Sequence, residues 1–121
     1  MTSSHPVRVG RVYEQAGERD GARILVDRLW PRGLSKQAAA LDEWCRAVAP
    51  STELREWFGH DPARFAEFTD RYQQELADPE RAAALGRLRE WHERGPVTLL
   101  TAARAVDISH ATVLAGILRA D

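Results

Sequence analysis

The segment from Asp27 to Lys36 concentrates charged side chains of the kind that bind anions. Four charged residues lie within ten positions of one another: Asp27, Arg28, Arg32 and Lys36. An arginine side chain presents a planar fork of N–H groups that suits carboxylate or phosphate oxygens. Charges that directly continue a buried strand are costly unless they are paired or in use. Two interpretations stay open: Asp27 pairs with an arginine and pins the strand end, or the segment forms an anion pocket.

A second cluster is the pair His60 and Asp61, which follows Arg55 and lies between two predicted helices. Histidine ionises near neutral pH, so His60 is a candidate general acid or base, oriented by Asp61. Arg55 would add a cationic group for a ligand. In the alternative interpretation His60 is a surface residue, and Asp61 is only a helix cap ahead of Pro62.

The third candidate lies where the last predicted helix begins, at Ser109 and His110. The free backbone N–H groups of a helix N-terminus favour an anion. The same terminus disfavours the charged imidazole, so we expect a neutral His110. His110 is either a structural histidine or a member of the site, whereas His5 and His92 look incidental.

The apolar pattern predicts the strands and helices that would position these groups. Residues 6–13, 23–30 and 97–101 have the β-branched and apolar runs of strands. The spacing of apolar residues after Ser35 predicts a helix that turns Leu41, Trp44, Cys45 and Val48 inward. Further helices are predicted from their capping residues, which are Ser51 or Thr52, Asp61, Asp78, and Ser109 or Asp107.

This order of elements predicts an α/β protein: a small three-layer domain with a short, mainly parallel sheet and a helical crossover. We expect residues 1–121 to form this single domain. In parallel sheets ligands bind beyond the carboxyl ends of the strands. One buried strand ends in the segment that carries Asp27, Arg28 and Arg32, and the loop after the strand 97–101 leads to His110. The sequence therefore predicts that Asp27, Arg28 and Arg32 gather with His110 at one end of the sheet.

Composition narrows the function classes. The chain has 121 residues, a formal net charge of −1 and one cysteine, Cys45. The balanced charge argues against a protein that holds nucleic acid by bulk positive charge.

No disulfide within the chain is possible, no metal-ligand spacing or glycine-rich phosphate loop occurs, and we predict no metal and no cofactor. Without an apolar run of about 18 residues, and with a polar start over residues 1–6, we expect a cytoplasmic protein with no membrane segment. The 4 tryptophans suit either a core or a dimer interface.

The motif from Arg23 to Lys36, RILVDRLWPRGLSK, resembles the signature of the domain-of-unknown-function family 488, in its YeaO-like branch. The agreement continues through 41–44, 49–55 and 57–61, and ends at 110–111. The resemblance implies a small cytoplasmic bacterial α/β domain. It also implies a set of characteristic polar positions, which are Asp27, Arg28, Arg32, Lys36, Glu53, Arg55, His60, Asp61, Arg71 and His110.

The chain departs from this family pattern in its last loop. Thr101 stands where the family usually has Tyr, and Ala105 where it has Asp. Ile108 and Ser109 stand where the family tends to have His and Asn. These changes remove a phenol, an acid and an imidazole from the expected site. Either catalysis does not need them, or this member binds a ligand without catalysing a reaction.

Three functions therefore compete. In the first, Arg28, Arg32 and Lys36 hold a small anion at the strand ends, with or without catalysis by His60. In the second, the arginines and tryptophans that alternate in 28–32 and 55–57 form a stacking surface of a nucleic-acid-binding or regulatory module. In the third, the protein acts through a partner protein.

Overall fold

The computed structural model describes residues 5–120, so the polar segment 1–4 and residue 121 lie outside the described part. Its sheet has four strands, β1 (Val7–Arg11), β2 (Ala22–Leu25), β3 (Glu43–Trp44) and β4 (Val97–Thr101). The strand order is β1-β4-β2-β3, and every pair is parallel. All five residues of β4 are buried, as expected of a strand covered on both faces. The predicted α/β class with a parallel sheet is confirmed.

Within the described residues, five α-helices accompany the sheet. They are α1 (Lys36–Ala39), α2 (Thr52–Phe58), α3 (Phe65–Glu75), α4 (Pro79–Arg94) and α5 (His110–Ala120). Helices α2, α3 and α4 form the crossover from β3 back to β4, and α5 returns to pack against β1 and β4. None of the helices within residues 5–120 combines the length and the apolar character that a membrane span requires.

The core has two unequal halves, one on each face of the sheet. On one face Ile24, Val26 and Leu99 pack against apolar residues of α2 to α5, including Phe68 and Tyr72. On the other face a smaller cluster surrounds Leu25 and Leu100, and the segment 30–44 covers it. The second helical layer is therefore thin, because α1 has a single turn.

Several local signals fold as the sequence predicts. The Ser51 side chain accepts a hydrogen bond from Leu54 N and begins α2, and Gly59 ends it in the left-handed conformation. Asp61 caps the 3-10 turn Pro62–Arg64 that leads into α3. Cys45 is a buried small apolar residue, and burial raises the pKa of its thiol to about 11.

The helix predicted after Ser35 is wrong beyond its first turn. Ser35 caps α1, but Ala40 adopts a left-handed conformation and ends it, and β3 follows. The apolar residues Trp44, Cys45 and Val48 have helical spacing, yet they pack on opposite faces of the sheet. Trp44 packs in the smaller cluster, whereas Cys45 and Val48 pack in the larger one. Trp44 ends the short edge strand β3, and Val48 lies in the 3-10 turn Arg46–Val48 that follows it, so these residues do not form one helical face.

Two smaller expectations also need correction. The predicted strand 23–30 ends at Leu25; the Asp27 side chain instead accepts a hydrogen bond from Ala102 N, just beyond the end of β4, and the chain bends at residues 28–29. His92 is not incidental: it is 3% exposed, and its Nε2 lies 2.7 Å from the carbonyl oxygen of His5. The charged neighbours of His92 in sequence lie on the outer side of α4.

Candidate functional site

A cleft of about 550 Å³ lies at the carboxyl ends of β2 and β4. Its walls come from the loop after β2, the end of α2, the loop after β4 and the start of α5. A volume of this size is typical of sites for small molecules. Most residues that the sequence singles out line this cleft: Asp27, Arg28, Arg32, Arg55, His60, Ser109 and His110. The prediction that Asp27, Arg28 and Arg32 gather with His110 at one end of the sheet is confirmed.

Lys36 and Asp61 do not line the cleft. Lys36 is an exposed residue of α1, on the segment that covers the smaller cluster. The Asp61 carboxylate accepts a hydrogen bond from Ala63 N at 3.0 Å and lies 3.7 Å from Arg64 Nε. Within the described residues, no hydrogen bond or ion pair joins Asp61 to His60.

The partner of Asp27 is His110, and not an arginine. His110 Nε2 lies 3.3 Å from Asp27 Oδ1 and 3.0 Å from the carbonyl oxygen of Val26. The Val26 carbonyl oxygen can only accept a hydrogen bond, so Nε2 carries a proton. Asp27 Oδ2 accepts a hydrogen bond from Ala102 N at 2.8 Å, whereas the buried Asp27 Oδ1 has no hydrogen-bond partner within residues 5–120. Within residues 5–120 Asp27 forms no ion pair with Arg28 or Arg32.

These contacts keep the Asp27 carboxylate ionised. Burial acts to raise the pKa of Asp27. The close contact and charge of His110, with hydrogen bonds from Ala102 and Thr101, outweigh burial and hold this pKa below its usual value. Asp27 therefore acts as a fixed anion that joins β2, β4 and α5.

The three arginines of the cleft differ in what they contact. Arg28 Nη1 donates a hydrogen bond to Thr52 Oγ1 at the start of α2. No hydrogen bond or ion pair engages the guanidinium groups of Arg32 and Arg55 within the described part of the chain. Both side chains are exposed and line the cleft. The cleft thus carries two arginine forks that are available to an anion.

His60 lies at the mouth of the cleft in an unusual backbone conformation. Its φ is 56°, directly after Gly59 at 53°. A residue with a side chain pays roughly 1–2 kcal/mol for the left-handed conformation. The His60 ring lies 5.8 Å from that of Phe58, centroid to centroid. The turn therefore holds the imidazole at the edge of the cleft.

The tryptophans near the arginines are engaged in packing. Trp30 meets Trp44 edge to face at 5.4 Å and donates a hydrogen bond to the Leu34 carbonyl. Arg64 and Arg71 both lie over the Trp57 ring, at 5.4 and 4.2 Å from its centroid. Both rings are therefore largely covered by the protein's own side chains.

The residues that depart from the family pattern lie around the same strand end. Thr101 is buried, and its hydroxyl accepts a hydrogen bond from Ala103 N at 3.2 Å. The buried Ser109 hydroxyl donates to the carbonyl of Val106. Ala105 and Ile108 have apolar side chains that are half-buried. Each side chain thus packs against, or hydrogen-bonds to, the protein itself.

Sequence reasoning missed part of the cleft. Tyr13 and Leu29 line it, and Tyr13 OH donates to the Arg32 carbonyl at 3.0 Å. Phe58 and Phe68 form its apolar side. A tyrosine just beyond the end of a parallel strand was the available signal for Tyr13. Within residues 5–120, no three His, Cys, Asp or Glu side chains gather in a way that could hold a metal ion.

Comparisons with known proteins give the family. The chain is 54% identical over 118 residues to "Uncharacterized protein Rv3073c" of Mycobacterium tuberculosis, and the match covers 98% of each chain. It is 45% identical over 113 residues to "Uncharacterized protein YeaO" of Escherichia coli, covering 93% of this chain and 96% of the relative. No solved structure matches. The sequence profile described as "Inactive DUF488-N3 subclade" matches residues 6–121. The resemblance noted in the sequence is thus confirmed, and the chain belongs to the DUF488-N3 family, in the subclade described as inactive.

Proposed function

We propose that this protein binds a small anionic ligand in the cleft at the carboxyl ends of β2 and β4, and does not convert it chemically. The observation that carries this function is the pair Arg32 and Arg55. Their guanidinium groups line one cleft and have no partner within residues 5–120. Arg23, by contrast, is buried, and its guanidinium is bound by the Asp20 carboxylate and the Ala39 carbonyl.

The charge balance of the cleft supports an anion. Arg28, Arg32 and Arg55 face two carboxylates on its lining, those of Asp27 and Glu56. The Asp27 charge is already met by His110 and Ala102 N. The positive charge of the three arginines is therefore only partly neutralised by the carboxylates of the cleft. Ser109 and His110 add the N-terminus of α5, whose first N–H groups have no partner inside the helix.

Three observations favour binding without turnover. Asp27 Oδ2 already accepts a hydrogen bond from Ala102 N, and His110 Nε2 donates its proton to the Val26 carbonyl oxygen. Within residues 5–120, neither Asp61 nor another carboxylate forms a hydrogen bond or ion pair with the His60 imidazole, so none orients it as a general base. The family description also contains the word inactive. As a single cytoplasmic domain, the protein would act as a ligand-responsive binding module.

Thermal unfolding with a panel of anions tests this function. We expect phosphate or sulfate to raise the Tm of the wild type above that in chloride of equal ionic strength. Arg32→Lys keeps the charge but loses the two-point fork, so binding is expected to weaken by about ten- to a hundredfold. Arg19→Lys is the matched control, because Arg19 is exposed and lies outside the cleft.

Two results would contradict the proposal. One is that no anion raises the wild-type Tm beyond chloride. The other is that Arg32→Lys and Arg55→Lys bind phosphate as tightly as Arg19→Lys does. The nucleic-acid alternative predicts a different result, namely retention of an oligonucleotide on a filter with an affinity that falls steeply as salt rises.

A further inference from the structure

The cleft also has an apolar side that a bare inorganic anion would leave exposed. Two large hydrophobic side chains are exposed within the described residues, Leu29 at 66% and Tyr13 at 43%. Both line this cleft. A hydrophobic side chain alone on a surface needs no explanation. Two exposed hydrophobic side chains that line one cleft, close to unpaired arginines, indicate an apolar surface that a ligand could cover.

The floor between these residues is rigid and apolar. Phe58 and Phe68 stack with ring centroids 4.3 Å apart and are both buried, so they form part of the packed core. Pro31 and Pro50 also line the cleft; both are buried and have little conformational freedom. A preformed apolar wall with a few polar groups at one side is the usual form of a small-molecule site.

We propose that the ligand is an anion carried on an apolar or aromatic body. Its anionic group would lie against Arg32 and Arg55, and its body would cover the exposed side chains of Leu29 and Tyr13. This inference rests on the proposed anion-binding function and adds the ligand class. The cleft of about 550 Å³ has room for such a body as well as for the anionic group.

The shared chemistry is an oxyanion attached to an apolar group, which a phosphate monoester or a carboxylate could supply. The probes are inorganic phosphate, phenyl phosphate, phenylacetate and the neutral benzyl alcohol, each titrated into the full chain by calorimetry. Phenyl phosphate against phenylacetate distinguishes the two anion types. Benzyl alcohol measures what the apolar wall binds without a charge.

We expect the better of the two aromatic anions to bind about tenfold more tightly than inorganic phosphate, as expected when a ligand covers most of a leucine side chain. Leu29→Ser is expected to remove most of that preference. Leu29→Met keeps the apolar volume of the side chain and is expected to retain the preference for the aromatic anion. Because Leu29 is exposed, neither change removes core packing.

The outcomes separate the two proposals. If phosphate binds but neither aromatic anion binds more tightly, this inference fails and the anion-binding function stands. If no probe binds, both fail. The cleft could instead be covered by a second copy of the chain, which sedimentation tests. If the wild type is a dimer and Leu29→Ser is a monomer, the inference is overturned.

Discussion

Asp27 and His110 join the end of β2 to the start of α5, with His110 Nε2 3.3 Å from Asp27 Oδ1. Trp44 Nε1 also donates to the Asp27 carbonyl at 2.7 Å, which ties β3 to the same point. Asp27, two residues after the end of β2, thus contacts α5, β3 and the end of β4. The position of Arg28 and Arg32 in the cleft depends on these contacts, because they continue the same segment.

Asp27→Asn should destabilise the protein in a pH-dependent way. The folded-state pKa of Asp27 lies below its ordinary value of 3.8, so its ionised form stabilises the fold. This contribution is fully present above about pH 3.8 and is lost as pH falls through the folded-state pKa. We expect a cost of about 1–3 kcal/mol at pH 7, measured by urea unfolding, that shrinks below pH 3.8.

The control for this prediction is Asp107→Asn, which removes an exposed carboxylate on the loop before α5. It is expected to change the free energy of unfolding by less than about 0.5 kcal/mol. A difference between Asp27→Asn and wild type that stays constant from pH 7 to pH 2 would show that the charge of Asp27 does not stabilise the fold.

The left-handed backbone at His60 gives a second prediction. His60→Gly and His60→Ala both remove the imidazole, but only glycine adopts a φ of 56° without strain. We expect the glycine variant to have the higher free energy of unfolding, by about 1 kcal/mol. If the proposed function holds and the imidazole contacts the ligand, both variants would lose anion affinity equally. Equal stability of the two variants would argue against strain at this turn.

Much of this arrangement could be predicted from sequence, for a physical reason. Parallel strands bring their carboxyl ends to one edge, so residues after two buried strands, such as Asp27 and His110, must lie close together. The sequence could not show that Asp27 pairs with His110 and not with an arginine. That choice depends on a tertiary contact, because Arg28 donates its hydrogen bond to Thr52, which is 24 residues away in the chain. The strand β3 was missed because a two-residue edge strand has almost no local signal.

The two Asp-Pro helix starts provide a third prediction. Asp61 accepts a cap hydrogen bond from Ala63 N, whereas Asp78 occupies the cap position without a side-chain cap bond. Asp61→Ala is therefore expected to lower the free energy of unfolding by about 1 kcal/mol. Asp78→Ala is the matched comparison, since it loses only a half-exposed ion pair with Arg81. Equal Tm values for Asp61→Ala and wild type would contradict the cap.

The buried arginine of β2 supplies the last prediction. Arg23 is 4% exposed, and its Nη1 lies 2.6 Å from Asp20 Oδ2. Asp20→Asn removes the countercharge from a guanidinium that cannot lose its proton, although two bonds to the Ala39 carbonyl remain. We expect a loss of about 2 kcal/mol in the free energy of unfolding, since an uncompensated buried charge is costly. Asp78→Asn breaks an Asp–Arg pair of the same i,i+3 spacing that lies nearer the surface, and should cost less than about 0.5 kcal/mol. If the two variants unfold at the same urea concentration, the countercharge of Asp20 is not what stabilises Arg23, and the carbonyl bonds alone hold it in place.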